Sequence, residues 1–128
     1  PLAPDAEAAL DEALLQGHCG QLPPSRLGGM RLAQRARDAA LWQALAASGG
    51  RPAVLVAGNG HVRRDHGVPQ LQAVLAPGRK LLSVGFGELG DALQGPYDVL
   101  WLTAPAQRGD PCEGMAPPAA ASAPAPAR

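Results

Sequence analysis

Between positions 59 and 66 the chain runs Asn59-Gly60-His61-Val62-Arg63-Arg64-Asp65-His66, which crowds two imidazoles, two guanidinium groups, an amide and a carboxylate into eight residues. An imidazole titrates near neutral pH, ligates transition metals and haem iron, and serves as a general base. A guanidinium grips carboxylates in bidentate pairs. His61 is the first candidate ligand or base. His66 is a candidate second ligand, with a plain exposed loop residue as the equal alternative. Arg63 and Arg64 are candidates for holding a ligand's carboxylates, against a reading in which one is solvated and the other pairs with Asp65. Asn59 tolerates the left-handed backbone, so a turn role accounts for it as well as a binding role does.

These residues need elements to position them. Val54 to Ala57 are apolar at every position, which predicts a strand over Ala53–Ala57 with both faces covered, as in a parallel sheet. Ligands of open α/β sheets bind at the carboxyl ends of such strands, and His61 falls there. The longest helical pattern, Met30 to Ser48, precedes that strand. Leu32, Ala36, Ala40, Leu41, Ala44 and Leu45 form its apolar stripe. Gln34 and Asp38 share another face with Arg31, Arg35 and Trp42 beside them, either as a solvated surface or as a wall of the ligand cleft.

Upstream, Asp5 to Gln16 reads as a helix with an acidic start and with Leu10, Leu14 and Leu15 on one side. His18 to Gly29 reads as a loop. Downstream, Pro69 opens a short helix to about Leu75, and strands follow at Lys80–Val84 and Tyr97–Thr103, with Trp101 and Leu102 in the core. Alternating helices and strands predict an α/β fold with a mostly parallel sheet. Three strands are few, so residues 1–115 are expected to be the C-terminal portion of a larger domain, or to have a partner over the sheet edge. The opening on Pro1, straight into a helix, carries the same expectation. Residues 116–128, rich in Ala and Pro, are expected to be disordered.

Composition narrows the function. The chain has 128 residues, no net formal charge and 3% aromatic residues. There is no electrostatic case for nucleic acid or an anionic membrane surface. No apolar run is long enough to span a bilayer. Ten of the eleven basic residues are arginine, so arginine by itself points to nothing. Cys19 and Cys112 lack the paired spacing of a zinc site, and either a disulfide or two free thiols fits them. Gly58-x-Gly60-x-x-Arg63 lacks the third glycine of a dinucleotide fingerprint. Gly85-x-Gly87-x-x-Gly90 fits formally, but Gly95-Pro96 cuts the helix that should follow. Both read as turn glycines. Gly-x-Ser-x-Gly, His-Glu-x-x-His and Walker motifs are absent.

Together, His18-Cys19-Gly20-x-Leu22-Pro23, Gln34-Arg35-x-Arg37-Asp38 and Ala57-Gly58-Asn59-Gly60-His61-Val62-Arg63-x-Asp65-x-Gly67-Val68-Pro69 resemble the ChaN-like haem-binding lipoproteins of bacteria. Tyr97-Asp98-Val99-Leu100-Trp101 and Asp110-Pro111-Cys112 fit the ending of that family, so the resemblance covers about residues 5 to 113. It implies a three-layer α/β/α fold, related to the erythromycin-esterase-like group, of which this chain is the C-terminal part. It implies a periplasm-facing envelope lipoprotein concerned with haem or iron uptake, held to the membrane only through a lipid anchor outside this chain. It also implies a homodimer that encloses haem. His61 and His66 are then the iron-ligand candidates, and Asn59, Arg63 and Arg64 complete the haem contacts. The family motif commonly has tyrosine where His66 stands, and the one tyrosine here is Tyr97.

Two other classes compete with haem binding. A hydrolase of the esterase-like group would use His61 as general base with Asp38, Asp65 or a residue outside this chain as its orienter. A non-catalytic interaction module would use the polar loop only to hold the fold.

Overall fold

In the computed structural model, residues 1–49, 52–90 and 95–115 are described. The element order is α1 (Pro4–Gly17), α2 (Pro24–Ala46), α3 (Asn59–Val62), α4 (Val68–Leu75), β1 (Val84–Glu88) and β2 (Val99–Thr103).

Helix α1 forms where the acidic start and leucine spacing predict it. Pro4 sits in the first turn beside Asp5 and Glu7, where a missing N–H costs nothing and negative charge meets the positive helix end. Ala6, Leu10 and Leu14, each four residues apart, make its buried stripe. The His18 Nδ1 donates to the Leu14 carbonyl at 2.7 Å, closing one of the open carbonyls of the last turn.

Helix α2 starts six residues before the expected Met30, at Pro24. The Gly- and Pro-rich composition suggested a loop, but Pro24 suits a first helical turn, and Gly28 and Gly29 lower helix propensity without forbidding the helix. Arg31 then pairs with Glu7 and, at 3.3 Å, with Asp11, clamping α2 to α1. The side that α2 turns inward is the opposite of the expected one. Asp38 and Trp42 are its buried residues, whereas Leu32 is 72% exposed and Ala36, Ala40 and Ala44 face outward. Helix α2 packs against both α1 and α4, and those neighbours meet its polar side.

Among the described residues the sheet has two strands, not three. β1 and β2 are parallel, with Val84 opposite Val99 and Phe86 opposite Trp101. The parallel pairing is as expected. β1 lies four residues later than Lys80–Val84, because the ladder is set by β2: the Asp98 and Val99 N–H groups both donate to the Ser83 carbonyl. Gly85 and Gly87 are therefore strand residues rather than turn glycines. At Gly85 an added Cβ would lie 2.9 Å from the Tyr97 ring, so glycine lets that ring pack onto the strand.

The expected strand over Ala53–Ala57 makes no ladder. Val54 is 90% and Val56 91% exposed. An extended apolar segment becomes a buried strand only when a neighbour supplies backbone partners and cover, and among the described residues nothing does so here. Trp101 and Leu102, expected in the core, are likewise exposed, as is every residue of β2. The described residues thus form a partial α/β unit of helices and a small parallel sheet. The expected disorder of residues 116–128 lies outside them.

Cys19 and Cys112 form a disulfide with Cα atoms 5.6 Å apart, closing a loop of 93 residues. By the chain-entropy account, a loop of that length stabilises the folded state by about 4–5 kcal/mol.

Candidate functional site

The short helix α3 carries His61 and is held in place from several sides. The Asn59 side chain accepts from the Phe86 N–H at 3.0 Å and donates to the Phe86 carbonyl at 2.5 Å. It thereby pairs with β1 as a neighbouring strand would. Ser83 Oγ donates to the Val62 carbonyl. Arg64 forms a bidentate pair with Asp98, at 2.6 and 2.5 Å, and also donates to the Leu81 carbonyl at 3.0 Å. Arg63 pairs bidentately with Asp65, at 3.0 and 2.6 Å, and also engages Tyr97. Gly67 closes the turn beneath. A Cβ there would come within 2.4 Å of the His61 carbonyl oxygen and 2.8 Å of that of Arg63, so the position admits only glycine.

This scaffold sets His61 against α2. Its Nδ1 lies 2.6 Å from Asp38 Oδ1, and the Gln34 amide nitrogen sits beside the ring, 3.1 Å from Nδ1 and 3.5 Å from Nε2. A neutral ring that donates from Nδ1 to a carboxylate keeps its lone pair on Nε2. The Asp38 side chain is fully buried, while that of His61 is 21% exposed. Burial pushes the Asp38 carboxyl above its ordinary range, and His61 and Arg35 pull against that shift. Asp38 Oδ2 is buried without a hydrogen-bond donor among the described residues. Beside His61 lies an open hollow of about 500 Å³, lined by Arg37, Ala40, Leu41, Ala57, Gly58 and His61.

The other sequence candidates fall elsewhere. His66 is fully buried, with no hydrogen bond to either ring nitrogen among the described residues. Its Nε2 is 3.7 Å from Asp65 Oδ1, beyond hydrogen-bond distance. Burial pushes the His66 imidazole below its ordinary pKa, although Asp65 opposes the shift. The His66 backbone carbonyl accepts from Arg35, which also donates to Gln70, so this stretch is stitched to α2. Arg63 pairs with Asp65, and Arg64, although its side chain is 37% exposed, pairs with Asp98, so each is engaged by a carboxylate of its own chain. Burial pushes the Asp65 carboxyl up, but Arg63 and His66 outweigh it and leave the carboxyl below the usual range. Asp98 is held low by Arg64 and the Ser83 N–H. Asn59 faces β1.

The structure thus brings together His61, Asp38 and Gln34, of which sequence reasoning had Asp38 as one of several orienters. It missed Arg37 as a lining residue. The available signal was the spacing of Arg37, Ala40 and Leu41, which share one helix face. Among the described residues no cluster of three or more His, Cys, Asp or Glu could hold a metal ion by itself, and no helix is long and apolar enough to cross a membrane.

The family described as haem-binding uptake, Tiki superfamily, ChaN matches residues 1–71. That span holds α1, α2, α3 and every residue lining the hollow, and it ends before the sheet. No curated protein and no solved structure matches the chain.

Proposed function

Because the chain belongs to the ChaN-like family of haem-binding uptake proteins in the Tiki superfamily, we propose that it binds haem, with His61 as the side chain that meets the iron. The observation that carries this reading is the contact between His61 Nδ1 and the buried Asp38, 2.6 Å long, beside a hollow lined largely by apolar residues. A carboxylate on the far ring nitrogen is the usual support of a metal-ligating histidine: it fixes the tautomer and raises the basicity of Nε2. The residues present therefore fit the group. Haem, when bound, would supply an iron centre that an imidazole nitrogen can ligate. His61 offers Nε2, Asp38 holds the ring, and Ala40, Leu41 and Ala57 keep water from one side of the hollow. Asn59, Arg63 and Arg64 act by holding α3 to the sheet, and His66 serves inside the loop rather than as a ligand.

We also infer an envelope lipoprotein facing the periplasm. The disulfide supports this placement, because such bonds persist in oxidising compartments. The exposed Val54, Val56, Phe86 and Trp101 support reading residues 1–115 as part of a larger sheet domain whose further strands or dimer partner cover them. The test is a haem titration followed in the Soret band. A saturable shift that His61→Ala removes and His66→Ala leaves in place is expected. Absence of a saturable shift, or a shift indifferent to His61→Ala, overturns the reading.

A second reading rests on the same contact. With Asp38 orienting it, His61 is built as a general base, and a hydrolase of the esterase-like group would use it so. Hydrolysis of ester or peptide substrates that vanishes in His61→Ala, without haem binding, would favour it.

A further inference from the structure

We propose that Arg37, and not an arginine of the 58–69 loop, reads the charge of the ligand: the hollow beside His61 takes a flat apolar molecule with a carboxylate at its edge, and Arg37 grips that carboxylate. This rests on the haem reading and specifies how the porphyrin is chosen and oriented.

The argument starts from which cations are already committed. Arg31 is paired with Glu7 and Asp11. Arg35 donates to the His66 carbonyl and to Gln70. Arg63 and Arg64 are each locked on a carboxylate. Arg37 stands on the same helix, is exposed, and makes no ion pair or hydrogen bond among the described residues. It lines the hollow, where the other lining residues apart from His61 are Ala40, Leu41, Ala57 and Gly58.

The helix dictates this placement. Arg37 precedes Asp38, and a step of about 100° per residue lets one point outward while the other points into the core. Ala40 and Leu41 follow Arg37 by three and four residues and so share its face. Ala40, Ala57 and Gly58 are too small to fill the space. A ligand seated there meets three kinds of surface: the His61 imidazole, a set of apolar walls and the Arg37 side chain. A metalloporphyrin with ionised side chains presents the three complements. A guanidinium fork matches a carboxylate in two parallel hydrogen bonds, which gives orientation as well as affinity.

The experiment compares haem with haem dimethyl ester, which has the same iron and ring but no ionised carboxylate. Both are titrated into the protein, Arg37→Gln, Arg37→Lys and His61→Ala, and followed in the Soret band. The unaltered protein should bind the free acid roughly fivefold more tightly than the ester, the scale of one solvent-exposed ion pair. Arg37→Gln should erase that preference while keeping a band shift that depends on His61, and Arg37→Lys should keep part of it. Equal binding of acid and ester by the unaltered protein, or a preference that survives Arg37→Gln, overturns the assignment of Arg37 and leaves the haem reading standing. Failure of both porphyrins to give a saturable band overturns both.

Discussion

Asp38 Oδ1 and His61 Nδ1 stand 2.6 Å apart although 23 residues separate them in the chain. The carboxylate is sealed from solvent and the imidazole is not. A buried carboxyl is costly to ionise, and its pairing with His61 and proximity to Arg35 offset part of that cost. The pair is therefore suited to holding one ring orientation rather than to stabilising the fold.

Asp38→Asn keeps the volume and removes the charge. Haem affinity should fall by about 10- to 100-fold, the usual effect of losing an outer partner of a metal-ligating histidine. Stability should change little, because the cost of burying the carboxylate disappears with it. Soret titration beside thermal melts separates the two effects. An affinity unchanged by Asp38→Asn would show that the contact does not serve ligation.

His66 should make the protein sensitive to mild acid. Burial lowers its folded-state pKa below the ordinary 6.5, so between those two values the unfolded chain binds a proton that the folded chain refuses. Its contribution is complete above about pH 6.5 and is lost as pH falls through 6.5 toward the folded value. Asp38, shifted upward, acts with the opposite sign: its ionisation penalty fades as pH falls toward 3.8. Denaturant midpoints from pH 7.5 to 5 should decline more steeply in the unaltered protein than in His66→Leu. Parallel curves would refute the assignment.

Gly67→Ala should be strongly destabilising, because its Cβ would fall 2.4 Å from a backbone oxygen that cannot move without displacing His61. A loss of about 2–3 kcal/mol is expected, the upper range for overpacking, and haem affinity should fall with it. A thermal melt within a degree or two of the unaltered protein would contradict the turn geometry.

Cutting the Cys19–Cys112 disulfide, by reductant or by the double serine variant, should cost about 2–5 kcal/mol in denaturant unfolding. Haem affinity under native conditions should be nearly unaffected, because neither cysteine lines the hollow. A large loss of affinity at full folding would tie the bridge to the site instead.

Part of the candidate site was legible in the sequence. The polar cluster after a glycine hinge marked Asn59 to His66, and the spacing of Gln34 and Asp38 put them on one helix face. The family resemblance rested on those blocks together with Tyr97–Trp101 and Asp110–Cys112, and the match over residues 1–71 contains the former and ends before the latter. Local patterns also determined α1 and α4, whose apolar spacing and first-turn prolines are properties of a dozen neighbouring residues or fewer.

What tertiary structure decided was which side faces in and who pairs with whom. Apolar periodicity placed Leu32 inward, yet α2 turned Asp38 and Trp42 to the interior, because the position of α1 and α4 is not encoded in α2 alone. The apolar run at Val54–Ala57 had the composition of a buried strand but found no ladder partner among the described residues, and β-structure, unlike helix, must be completed by distant chain. Arg63 and Arg64 had the chemistry for a ligand's carboxylates, and the fold gave them Asp65 and Asp98 instead. The sequence thus determined that a histidine would stand among polar groups after a glycine hinge. Only packing decided that its partner is Asp38, that His66 is sealed away, and that Arg37 is the cation left facing the hollow.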